Sequence, residues 1–139
     1  MLVVKTKIGQ SRVEGIGLFA DQFIPKGTIT WKFDPRFDIY FDPSKVDKMP
    51  ELQKDLMIHF AYLSKKSGKY VYSIDNTRFT NHSIDPNIAE DERLSKNDEE
   101  ICTVAIRDIQ IGEEMTIDYR AIDAADEGSN EEYLKTIVS

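Results

Sequence analysis

Apolar and polar residues alternate over several short stretches of the chain. Stretches of this kind with β-branched or aromatic residues are typical of strands. Five strands are predicted, over residues 2–8, 28–33, 69–75, 101–106 and 114–119. Turn-forming residues stand between them, as at Pro25-Lys26-Gly27 and Gly112.

The pattern becomes helical in two other places. From Glu51 to Ser64 the apolar residues recur at steps of four, four and three, as Leu52, Leu56, Phe60 and Leu63. This spacing predicts one face of an amphipathic helix, which we expect to pack mostly in the core. A second helix is predicted over residues 129–138, where Ser129 and Glu132 form a capping box. Its shared apolar face consists of Tyr133, Leu134, Ile137 and Val138.

Residues 89–100 carry six acidic and two basic side chains and are predicted to form a solvated loop. Many short strands, one mid-chain helix and one terminal helix together predict a β-rich α+β fold. The 139 residues accommodate one domain of ordinary size.

Composition narrows the class of protein. Hydrophobic residues make up 40% and charged residues 31%, which is typical of a globular protein. No apolar run approaches the roughly 20 residues of a membrane span, and the N-terminus lacks the long apolar stretch of a secretory signal. We therefore expect an intracellular protein. Cys102 is the single cysteine, so neither an internal disulfide nor a thiolate zinc site is expected, and we predict no metal.

The charge balance of the chain predicts the sign of the charge on a binding partner. The chain carries 18 basic and 25 acidic side chains, a formal net charge of −7. Such a surface repels phosphate backbones, so direct nucleic-acid binding is not expected. It would attract a basic protein or peptide, although the charge can also serve solubility alone.

Three motifs stand out from this background. The first is Gly15-Ile16-Gly17-Leu18-Phe19-Ala20, and the second runs from Arg78-Phe79 through Asn81-His82-Ser83 to Pro86-Asn87. The third is Gly112-Glu113-Glu114-Met115-Thr116-Ile117-Asp118-Tyr119. Each alone fits a turn or a strand end, and G-x-G without a third glycine is weak evidence for a nucleotide loop.

In this order the motifs closely resemble the SET-domain protein lysine methyltransferases, from about Val4 to Tyr119. The short form is most similar to compact bacterial and viral members without zinc-binding flanking modules. The resemblance implies a SET domain over residues 1–119, with a variable insert at about 34–68 and a C-terminal lid over 120–139. It also implies that the Asn81-His82-Ser83 segment passes near, or through, a loop made by the chain that leads to Tyr119.

The resemblance further implies S-adenosylmethionine as methyl donor and a lysine in a basic protein segment, such as a histone tail, as acceptor. Tyr119 matches the catalytic tyrosine, and its phenol, with an ordinary pKa of about 10, orients the amine rather than acting as a strong base. The implied donor-binding residues are Glu14, Gly15, Ile16, Gly17, Phe33, Arg78, Phe79, Asn81, His82 and Tyr119. Ile117, Tyr119 and Tyr133 are expected along the lysine channel.

Some positions depart from the family pattern. Ile84 replaces a frequent cysteine, and no cysteine follows Tyr119 to bind zinc. The channel wall must then come from the 129–138 helix, with Tyr133 against the donor, or from packing of a homodimer. Ile117 stands where relatives carry Phe or Tyr, which suggests room for di- or trimethyl-lysine. A SET-fold scaffold with little turnover stays open as an alternative to the enzyme.

Overall fold

The computed structural model describes residues 1–125. Its strands are β1 (Thr6–Gln10), β2 (Ile16–Ala20), β3 (Ile29–Trp31), β4 (Asp38–Phe41), β5 (Tyr62–Leu63), β6 (Tyr70–Ser73), β7 (Asn81–His82), β8 (Ile88–Glu90), β9 (Thr103–Ala105) and β10 (Thr116–Ile117). Its helices are α1 (Pro43–Asp47), α2 (Glu51–Phe60), α3 (Glu92–Ser95) and α4 (Tyr119–Ile122), with a 3₁₀ helix at Asn76–Phe79. Short strands with few helices confirm the predicted β-rich α+β class.

The described strands form three small sheets. One is the β1–β2 hairpin, the second has the order β3-β9-β8-β10-β7, and the third has the order β4-β6-β5. In the hairpin, Gln10 pairs with Ile16 across a five-residue loop, where Gly15 adopts φ of +49°. That left-handed conformation favours glycine and closes the turn.

The second sheet brings two of the sequence motifs together. β10 lies between β7 and β8 and runs parallel to both, so that Thr116 pairs with Asn81 and Ile117 pairs with both His82 and Ile88. The Ser83 amide then donates to the Ile117 carbonyl at 3.1 Å. The strand that leads to Tyr119 is therefore inserted between two strands that are neighbours in sequence, beside the Asn81-His82 pair, as expected.

The described part of the chain contains two large buried apolar clusters. The first is built on Leu18, Ile24, Ile109, Met115 and Ile117, and the second on Trp31, Val71 and Ile101. Leu2 and Ile122 pack against both clusters. A smaller cluster of Val46, Met57 and Ala61 lies under α2.

The prediction of the buried face of α2 was wrong. The helix ends at Phe60, and Ala61 takes an extended conformation that leads into β5, which contains Leu63. Leu52 is 84% exposed, whereas Met57 is 5% exposed. The buried side of α2 is therefore set by its contacts with α1 and β6 and not by the apolar repeat.

The acidic stretch 89–100 is also more ordered than predicted. It contains part of β8 and all of α3, whose N-terminus is capped by the Asp91 side chain. Glu100 is fully buried and accepts hydrogen bonds from the hydroxyls of Tyr40 and Ser64. The hydrogen bonds from these two side chains, both more than 30 residues away in sequence, offset the free-energy cost of burying the carboxylate.

Candidate functional site

A cavity of about 700 Å³ lies between the two large apolar clusters. This volume is within the usual range of small-molecule and cofactor sites. Eight of the residues predicted for donor or lysine binding line it: Glu14, Gly15, Ile16, Arg78, Phe79, Asn81, Ile117 and Tyr119. Gly17, Phe33 and His82 are not among its lining residues.

The hairpin loop forms one edge of the cavity. Its backbone closes through the Ser11 amide, which donates to the Gly15 carbonyl at 2.8 Å. A side chain at Gly15 would meet no atom within 4 Å, so the backbone is open to close approach on that side. The Asn81 side-chain amide donates to the carbonyls of Glu14 and Ile16 at 3.2 and 3.3 Å, which ties the loop to β7.

Both the backbone N–H and the side-chain hydroxyl of Tyr119 are held by hydrogen bonds. Its backbone N–H donates to Nδ1 of His82 at 3.0 Å, and its hydroxyl donates to the Thr80 carbonyl at 2.5 Å. Because an N–H can only donate, Nδ1 of the buried His82 is the acceptor and this ring carries its proton on Nε2. His82 therefore positions the start of α4 from outside the cavity, and the phenol lies beside the segment that leads into Asn81.

Trp31 is a lining residue that the sequence analysis missed. Its side chain is 5% exposed, and its Nε1 makes no hydrogen bond within residues 1–125. Phe33, which was predicted for donor binding, stacks on Tyr40 with ring centroids 4.9 Å apart and packs edge-on to Trp31. The sequence feature that could have singled out Trp31 is that it is the chain's one tryptophan, but this feature alone does not predict a cavity.

Arg78 lies at the cavity with its guanidinium over two aromatic rings. The distances are 5.6 Å to the Phe60 centroid and 5.0 Å to the Phe79 centroid. Its buried Nε has no hydrogen-bond partner in the described part of the chain. A guanidinium is a donor-only group, so it suits an anionic ligand group such as a carboxylate.

The remaining charged lining residues are mostly acidic. Glu14, Asp55 and Asp123 line the cavity, and the first two are exposed. Their exposure places negative charge at the rim rather than in the apolar interior. Such a rim attracts a cationic side chain without a carboxylate deep inside to hold its proton.

The apolar inner part of the cavity includes Ile117 and Tyr62. Ile117 is 6% exposed and offers no hydrogen-bonding group. Burial, together with the negative charge of Glu100, raises the pKa of the Tyr62 phenol well above its usual range. Tyr133, predicted for the channel wall, lies outside the described residues.

The described part of the chain contains neither a candidate metal site nor a membrane-spanning helix. No group of three or more His, Cys, Asp or Glu side chains is placed to hold a metal ion among residues 1–125. No described helix is long and apolar enough to cross a membrane.

Comparisons with known proteins agree with this architecture. The model of the SET domain matches residues 15–120. The chain is 26% identical over 118 residues to a Schizosaccharomyces pombe protein named histone-lysine N-methyltransferase, H3 lysine-36 specific, a match that covers 83% of the chain and 14% of that protein. A protein of the same name from Mycosarcoma maydis is 28% identical over 119 residues, covering 84% of the chain and 12% of that protein.

The chain thus spans less than one fifth of the length of these two curated relatives. Among solved structures, the Neurospora SET domain protein DIM-5, a histone lysine methyltransferase, aligns with a TM-score of 0.57 at 20% identity over 85% of this chain and 53% of that one. A mutant Polycomb Repressive Complex 2 from Chaetomium thermophilum aligns with a TM-score of 0.59 at 24% identity, over 88% and 16%. The chain belongs to the SET-domain family.

Proposed function

We propose that the chain is an S-adenosylmethionine-dependent protein-lysine N-methyltransferase. The observation that carries this proposal is the position of Tyr119, whose hydroxyl and backbone are both held at the cavity that Asn81 and the hairpin loop also line. Family membership and the relatives named for histone-lysine methylation support it.

The residues at the cavity fit the chemistry of this donor. Arg78 offers a cationic donor for the carboxylate of the amino-acid part, and the Asn81 side chain offers an amide beside open backbone at Gly15. The unpartnered Nε1 of Trp31 is a second buried donor on the lining. A buried donor without a protein partner is uncommon and suits a site that receives a polar ligand.

When bound, S-adenosylmethionine supplies an electrophilic methyl group on a sulfonium. The protein's part is to present a neutral amine in line with that group, because positioning can supply much of such a rate enhancement. The Tyr119 hydroxyl hydrogen is directed to the Thr80 carbonyl, so the phenol oxygen can accept an N–H of the lysine amine and orient its lone pair.

The amine must lose a proton before it reacts. A lysine with a pKa of about 10.4 is neutral about once in 2,500 at pH 7, a cost of roughly 4.6 kcal/mol. The apolar lining at Ile117, Ile88 and Leu18 favours the neutral form, because it disfavours an unpaired charge. Acids at the rim attract the cationic lysine without raising the pKa of the amine inside the cavity.

The substrate class follows from the rim and from the net charge. Exposed Glu14 and Asp55 on the lining, on a chain with net charge −7, favour a lysine within a basic protein segment. A histone tail is the leading candidate, because both curated relatives are named for histone H3.

The test is methyl transfer from labelled S-adenosylmethionine to histones and other basic proteins, together with donor binding by calorimetry. In Tyr119→Phe we expect turnover to fall by about 10²-fold, since the amine loses the hydroxyl that orients it. The donor Kd should change little, because the backbone bond from residue 119 to His82 remains. Equal turnover by the wild type and Tyr119→Phe would contradict the proposal, as would a wild type that binds no donor.

A further inference from the structure

The side chain of Glu114 lies behind the hairpin loop, on the side away from the main cavity. Both of its carboxylate oxygens are 2.8 Å from the Ser11 hydroxyl, and Oε2 accepts from the Asn81 amide at 3.2 Å. Glu114 lines a separate polar depression on the other side of the loop and is not among the residues lining the main cavity. The loop and Asn81, which do line the main cavity, connect Glu114 to a ligand there.

Ser11 connects the Glu114 carboxylate to the backbone of the loop. Its hydroxyl oxygen accepts from the Val13 amide at 2.9 Å, and its own amide holds the Gly15 carbonyl. The carboxylate thus fixes the hydroxyl on which the turn is built. A carboxylate suits this place because it only accepts hydrogen bonds, and here it receives two donors at once.

Gly17 shows how closely the carboxylate is fitted. A Cβ at Gly17 would lie 2.7 Å from Oε2 and 2.9 Å from Cδ of Glu114 and 3.0 Å from Cβ of Ser11, so that the hydrogen-bonded carboxylate would have to shift. Gly17 is not among the described glycines with positive φ, so its backbone does not itself demand glycine. The missing side chain at this position is explained by the space that the Glu114 carboxylate takes.

The same contact sets the orientation of Asn81. Its Nδ2 lies among four acceptors, namely Glu114 Oε2, Ser11 Oγ and the carbonyls of Glu14 and Ile16. Because Nδ2 is committed to the loop, Oδ1 is directed to the other side of the planar amide. That oxygen is then available to accept hydrogen bonds from a ligand at the cavity that Asn81 lines.

We infer that Glu114 is a positioning residue for the methyl-donor site, which fixes the hairpin loop (residues 11–15) and the amide orientation of Asn81 from behind. The inference rests on the proposed function. Within the Gly112-Glu113-Glu114 motif, this role in donor binding belongs to Glu114 and not to Glu113. Glu113 contacts the Asn87 side chain at 3.0 Å and the Gln110 amide at 3.3 Å, and it makes no described hydrogen bond to the loop.

The experiment compares Glu114→Ala and Glu114→Gln with Glu113→Gln as the matched control. For each purified full chain, donor Kd is measured by calorimetry, KM for donor and for peptide by labelled methyl transfer, and Tm by thermal unfolding. We expect Glu114→Ala to raise the donor Kd and donor KM by about tenfold to hundredfold, the effect of losing hydrogen bonds to a charged group. The peptide KM should stay within about twofold, and Glu113→Gln should bind donor as the wild type does.

Glu114→Gln keeps one acceptor oxygen and should restore part of the donor affinity, which a role in folding stability alone would not predict. The Gly17→Ala substitution adds an independent measurement. It should weaken donor binding more in the presence of Glu114 than in the Glu114→Ala background, because the carboxylate that the new methyl group meets is then gone.

The outcomes separate the two proposals. A wild type that binds donor, with a Glu114→Ala variant that binds it as well as Glu113→Gln does, would overturn the positioning role and leave the proposed function intact. Additive effects of Gly17→Ala and Glu114→Ala would also count against it. A wild type that binds no donor would overturn the proposed function itself. Should Glu114→Ala fail to fold, Glu114→Gln carries the same comparison.

Discussion

At the scale of single residues, Asn81 and Tyr119 hold the candidate site together through their hydrogen bonds to the hairpin loop, His82 and Thr80. Asn81 and Tyr119 stand in contiguous motifs, and the structure brings both to one cavity. Trp31 was missed because β3 pairs with β9 through a register shift between Ile29 and Trp31. A shift of this kind changes which side chains share a face, and it depends on a partner strand about 70 residues away.

Ile117 carries a prediction about the product. Its side chain is apolar, lines the cavity and has no hydroxyl to restrain a methylated amine. We expect the wild type to form di- or trimethyl-lysine, and Ile117→Phe to shift the product toward monomethyl-lysine because the ring fills space. Mass spectrometry of the peptide product checks both, with Ile117→Val as the control that keeps a small apolar side chain. Only monomethyl product from the wild type on a good substrate would refute the expectation.

At the scale of elements, the type of element was predictable, whereas its buried face often was not. A helix near residue 51 and strands near residues 69–75 and 101–106 are all present in the structure. The strand β4 and the helix α1 were not predicted, because Asp34-Pro35 and Asp42-Pro43 indicate loops. In the insert, Ser64 bonds to the buried Glu100 and pairs with Asp123, contacts that no local pattern contains.

The orientation of α2 gives a stability prediction. Leu52→Ser should change the free energy of unfolding by no more than about 0.5 kcal/mol, since an exposed side chain loses few contacts. Met57→Ala should cost about 2–5 kcal/mol, because Met57 is buried with Val46 and Ala61. Urea unfolding of the two variants measures the difference. A loss for Leu52→Ser as large as that for Met57→Ala would mean that the exposed face of α2 is covered in the folded protein.

At the scale of the whole molecule, the site depends on contacts that are distant in sequence. Ser11 and Glu114 are separated by 103 positions, and Ser11 and Asn81 by 70, yet the three side chains share hydrogen bonds. The insertion of β10 between β7 and β8 produces this convergence. Periodicity could not predict that arrangement, because it reports only which face of a segment is apolar. The prediction that the Asn81-His82-Ser83 segment lies beside the chain leading to Tyr119 was based instead on the order of the three motifs.

The partly buried tyrosines near Glu100 predict how the whole molecule responds to alkali. Burial raises the pKa of Tyr62 and Tyr40, with Glu100 adding to the effect through its charge on Tyr62 and its hydrogen bond with Tyr40. A group whose pKa is higher in the folded state gives stability that is complete below its unfolded pKa, about 10 for tyrosine, and is lost as the pH rises toward the folded pKa. The free energy of unfolding should therefore fall above pH 10, by at most about 1.4 kcal/mol per pH unit for Tyr62 and by less for the more exposed Tyr40, whose interactions solvent screens.

Urea unfolding between pH 8 and pH 11 tests this, with Tyr62→Phe as the variant that lacks one phenol. Its free energy of unfolding should fall less steeply above pH 10 than that of the wild type, and identical slopes would contradict the argument. Between pH 7 and pH 9 these tyrosines stay protonated, so they cannot produce a rise in turnover there. With chemistry limiting, a rise in that range reports the lysine amine losing its proton, and a flat profile would show that amine deprotonation does not limit the reaction.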